Sequence, residues 1–109
     1  MNPSLDPDHP DDLLRAKLNA ETGRLGWAEL QRHFARGVVI VVAPGIDLVE
    51  VAFRISRDDQ TAVASWLGDG RLHRATDVDA QGWQERQAEF WAVVAAPWVL
   101  VQETPKVQH

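Results

Sequence analysis

The chain has 109 residues, 45% hydrophobic and 25% charged, with five tryptophans and no cysteine. That length fits one domain around a single core, and the composition excludes a largely disordered chain. The missing cysteines exclude disulfides, thiolate nucleophiles and cysteine-ligated zinc or iron–sulfur centres. The formal charge of −5 overstates the acidity of the folded part, because Asp6, Asp8, Asp11 and Asp12 precede the first apolar run. The nearly neutral remainder has no field to attract nucleic acid or an anionic membrane.

Residues 1–11 are rich in proline and aspartate and are expected to form a mobile lead-in, ahead of one globular domain over 12–102 and a frayed tail over 103–109. Leu13, Leu14, Lys17, Leu18 and Glu21 predict a short amphipathic helix interrupted by Gly23 and Gly26. A second helix starts near Trp27, which shares a face with Leu30 and Phe34, and Gly37 is placed to end it. Residues 38–42 are all β-branched and predict a buried strand before the Pro44-Gly45 turn.

Leu48, Val51, Ala52 and Ile55 have the spacing of one helix face. Another helix follows, capped by Asp58 or Asp59, with Val63, Trp66 and Leu67 as its apolar side. Residues 72–75 suit a short edge strand, and Thr76 with Asp79 predicts a capping box at the start of a helix through Ala80, Trp83 and Gln87. The uncharged stretch over 90–101, broken by Pro97, predicts one or two buried strands around a bend. The expected fold is α+β, a three- to four-stranded sheet packed by four or five helices.

Trp27, Ala28, Glu29 and Leu30, residues 46–52 (IDLVEVA) and residues 96–102 (APWVLVQ) together resemble the domain-of-unknown-function 2288 family, over about residues 14–102. The resemblance implies a compact, single-domain soluble bacterial protein, and it carries over no activity, cofactor or catalytic residue. A cytoplasmic location is expected, since no basic start joins a long apolar run and the stretch around Pro97 is too short to span a bilayer.

Candidate chemistry is sparse, and no catalytic, cofactor or metal residue is assigned. Asp47 and Glu50, three apart at a helix start, could share a proton or a cation; equally, Asp47 caps the helix and Glu50 is its reciprocal partner. His33 and His73 could titrate near neutrality or ligate a metal, yet no spacing supplies the further ligands. Ser56 and Ser65 lack a nucleophile-elbow setting, and no glycine pattern resembles a phosphate loop.

Residues 48–75 have the helix-turn-helix-strand order of winged DNA-binding domains. However, Arg54, Arg57, Arg71 and Arg74 are offset by Glu50, Asp58, Asp59 and Asp69, and the second helix exposes Gln60, Thr61, Ala64 and Ser65, with no base-reading arginine or lysine. No nucleic-acid or membrane partner is expected. Five tryptophans are many for so small an interior, so Trp27 or Trp98 is a candidate interface residue.

Two functions remain open. One is a non-catalytic protein-interaction or regulatory module, self-associating through tryptophan-bearing surface or a free strand edge. The other is a small-ligand or metal-binding domain, an enzyme included, built on Asp47, Glu50 and a histidine. The first requires Asp47 bonded to its own helix and an apolar surface patch; the second requires Glu50 in a concavity beside His33 or His73.

Overall fold

The computed structural model describes residues 9–105, so most of the expected lead-in and the end of the expected tail lie outside the described residues. The elements run α1 (Pro10–Glu21), β1 (Gly23–Gly26), α2 (Trp27–Ala35), β2 (Val39–Val42), α3 (Leu48–Ser56), α4 (Gln60–Gly68), β3 (Leu72–Arg74), α5 (Asp77–Arg86), β4 (Glu89–Ala95) and β5 (Trp98–Glu103). The fold is α+β. The sheet has five strands in the order β1-β4-β5-β2-β3, which corrects the expected three or four. Among the described residues, only the β2–β5 pair runs parallel.

The additional strand is β1. Two glycines in four residues argue against a strand on propensity, and α1 ends before them with Thr22 as its C-cap while Gly26 caps the start of α2, but the strand pairing comes from tertiary contacts. Gly23 to Gly26 align with Ala92 to Glu89, Leu25 packs against a core cluster, and Arg24 bonds Glu89 at 3.0 Å. β3 is the opposite edge, as its short polar sequence predicts.

A core cluster lies on each sheet face, which explains much of the apolar run over 90–101, although Trp91 and Val94 within it are exposed. Along β4, Phe90 packs with Trp27, Leu30, Trp83, Val99 and Val101, beneath α2 and α5. Val93 and Ala95 point the other way and pack with Leu18, Val51, Phe53 and Leu100, beneath α1 and α3. Trp83 meets Phe90 edge-on at 5.0 Å and Trp27 at 5.6 Å, so the indoles supply ring contacts to the first of these cores.

Local signals set most element ends. Gly37 adopts φ +73°, a conformation that costs glycine little, and its amide donates to the Phe34 carbonyl to close α2. Asp58 turns the chain between α3 and α4 at φ 56°, and Asp59 caps α4 by accepting from the Ala62 amide at 3.1 Å. At α5, Thr76 and Asp79 form the reciprocal capping box at 3.1 and 3.0 Å. Pairing persists slightly beyond the expected domain limits: α1 begins at Pro10, β5 reaches Glu103, and the Thr104 amide donates to the Glu89 carbonyl at 2.8 Å.

Candidate functional site

Asp47 and Glu50 share the first turn of α3 but serve different elements. Asp47 Oδ1 accepts from the Val49 amide at 2.9 Å and the Glu50 amide at 3.3 Å, satisfying helix donors that have no intrahelical partner. Glu50 does not return to the Asp47 backbone as a capping-box partner would. Its carboxylate accepts from Arg15 Nε at 3.1 Å, Arg15 Nη2 at 3.4 Å and Arg54 Nε at 2.8 Å. Charge-assisted bonds to two guanidiniums outweigh one bond to a neutral amide.

The Arg15 bond, the largest cause, lowers the Glu50 carboxyl below its ordinary range; partial burial opposes it, and Arg15 and Arg54 charge reinforces it. Arg54 also reaches Asp59 Oδ2 at 3.2 Å, while Arg15 lies 3.9 Å from the centre of the Phe53 ring. Glu50 thus belongs to a seam joining α1 to α3. Its oxygens are occupied by the protein's own cations.

The histidines bond to other residues than this seam does, and to different partners from each other. His33 Nδ1 accepts from Arg36 Nη2 at 3.0 Å, and burial first, then the charges of Arg36 and Arg32, holds the imidazole below its ordinary range. His73 Nε2 meets Asp79 Oδ2 at 2.8 Å. Burial opposes the charged form of Asp79, but the Thr76 amide, His73 and the Thr76 hydroxyl together hold its pKa below the ordinary value. Among the described residues, no three His, Cys, Asp or Glu side chains converge as a metal-ligand set.

Two concavities flank the β3 edge on opposite sheet faces. One, of about 600 Å³, lies between α5 and the sheet, over Val41, Val42 and Trp83, with His73, Asp79, Arg86 and Glu103 around it. Arg86 and Glu103 are tied to each other by contacts of 2.8 to 3.2 Å. The other, of about 530 Å³, runs between α4 and the sheet, over Ile40, Leu72 and Trp98, walled by Ile55, Val63 and Leu67. Its polar margin includes Asp58, Asp59 and Arg74, and the Arg74 guanidinium sits 5.5 Å from the Trp98 ring.

The tryptophan candidates separate here. Trp27 is buried and donates from Nε1 to Gln84 Oε1 at 2.6 Å, which makes it a core residue. Trp98 is half-buried in the apolar groove. Trp91, which periodicity alone places with the core, is exposed on the outer part of the sheet, its ring 5.0 Å from the Arg24 guanidinium.

Sequence reasoning placed the helix α4 but missed its exposure. QTAVASWLG contains no charged residue, yet none of its side chains is buried, and Leu67 is 51% exposed. The signal was legible as nine consecutive uncharged positions; the apolar side of Val63, Trp66 and Leu67 suggested core instead. Val63 and Trp66 do pack partly against the α1–α3 core, and Leu67 does not.

No helix among the described residues is long and apolar enough to cross a membrane. No curated protein matches the chain. The solution structure of PA1075 from Pseudomonas aeruginosa is similar, with a TM-score of 0.77 and 40% identity over 99% of this chain and 100% of that one. The family model described as "Protein of unknown function (DUF2288)" matches residues 13–103. Spanning both core clusters, the two concavities and every helix save the first turn of α1, that match places the chain in the DUF2288 family.

Proposed function

We propose that the protein is a non-catalytic interaction or regulatory module that docks a protein partner on α4 and the adjoining Trp98 groove. The observation that carries this reading is α4: a helix without charge normally lies in an interior, and this one has no buried residue. The neighbouring groove continues the apolar surface over Trp98, Ile40 and Leu72. Asp47 and Glu50 support the same reading indirectly, since both are engaged in holding the fold.

Photo-crosslinking in the cell tests it. A benzophenone side chain at Leu67 should form an adduct with a protein, and one at the exposed Lys17 of α1 should not. No adduct at position 67 would reject the docking surface.

A second reading has one specific observation in its favour. His73, paired with Asp79, borders the concavity of about 600 Å³ on the α5 face, so that face suits a small ligand with polar ends and an apolar middle. Asp47 and Glu50 take no part in it. A fragment screen followed by amide and imidazole chemical shifts should then move Gly82 and His73 together; shifts confined to α4 would exclude this reading.

A further inference from the structure

We infer that the partner seated on α4 is a second copy of this chain, related by a two-fold axis that sets the two α4 helices antiparallel. This rests on the docking reading above and specifies its occupant. A two-fold contact requires one patch to be complementary to itself. The surface around α4 meets that requirement in charge as well as in apolarity.

Asp58 precedes α4 and Arg71 follows it, and both are exposed. The Asp58 carboxylate has no hydrogen bond or ion pair among the described residues, and Arg71 has only Asp69 at 3.8 Å. Along the chain, the midpoint between Asp58 and Arg71 falls between Ala64 and Ser65, which are exposed and small enough for two helices to cross closely there. Antiparallel packing about that point brings each Asp58 towards the partner's Arg71, once at either end of the contact. Along α4 itself no charge has to leave water, while Asp59 and Asp69, which flank it, face their own Arg54 and Arg71. Leu67 would be covered in the same step.

Two other candidate surfaces have charged groups already paired within the chain. On the α5 face Arg86 is bound to Glu103 and His73 to Asp79 within the chain, and the exposed Trp91 has its own Arg24 guanidinium 5.0 Å from its ring.

Sedimentation equilibrium on the purified full chain tests the inference. The average mass should rise with concentration towards twice 12.2 kDa. Arg71→Asp places like charges at both ends and should weaken association about tenfold, and adding Asp58→Asn should restore part of that loss. Leu67→Asp should leave a folded monomer. A wild-type chain that stays monomeric throughout, or a dimer indifferent to both Arg71 and Leu67, would overturn the inference. The position-67 crosslink separates the two levels: an adduct with a different protein ends the second-copy assignment alone, and no adduct ends the docking reading with it.

Discussion

Helices α3 and α4 have the same length, nine residues each, and are joined by one tight turn, yet they are opposites. In α3 Leu48, Val51, Ala52 and Phe53 are buried, and both of its charged residues, Glu50 and Arg54, are in ion pairs. In α4 nothing is buried and there is nothing to pair. The contrast separates what the chain satisfies internally from what it leaves over. A helix such as α3 is explained by its own domain, whereas the cost of exposing α4 is recovered only when something covers it.

The largest way to break the comparison is at Phe53. Phe53→Ala should lower unfolding stability by about 3 to 5 kcal/mol in denaturant titrations, because it empties a buried ring site and removes the surface on which Arg15 rests. A loss below about 1 kcal/mol would mean that α3 is not the anchored helix of the pair. Leu67→Ser, in contrast, should stay within about 0.5 kcal/mol in the monomer, since no packed core contact is lost.

At the start of α3, Asp47→Ala should cost about 1 kcal/mol through two lost cap bonds, without changing association measured by sedimentation. A weaker dimer with unchanged stability would reassign Asp47 to an interface. Glu50→Gln should cost about 1 kcal/mol or less, because both ends of the seam are partly hydrated.

The seam also predicts a direction with pH. The folded-state pKa of Glu50 is lowered, so its contribution is present above the unfolded-state value and is lost as pH falls through the lowered one. The acid limb of a stability–pH curve should therefore be shallower in Glu50→Gln than in the wild type. Parallel limbs would show that the Arg15 and Arg54 bonds do not persist in solution.

How much of this was legible in the sequence differs by element. The Thr76–Asp79 capping box, the edge position of β3 and the run through β4 and β5 follow from local rules that the residues obey. β1 was not legible, because its strand state comes from pairing with β4, some 65 residues away along the chain between Arg24 and Glu89. The role of Glu50 was half legible: its spacing from Asp47 suggests a capping box, and only the three-dimensional approach of Arg15 from α1 redirects it. For the candidate surface, Trp98 was found and Leu67 was read only as part of an apolar helix side, since periodicity reports that a helix has such a side without saying whether anything lies against it.

Amide hydrogen exchange followed as a function of protein concentration tests the central claim most directly. Protection of the α4 amides should rise with concentration while that of the α5 amides stays constant, as expected when a second copy covers one helix and not the other. Exchange in α4 that is fast and independent of concentration would contradict the account.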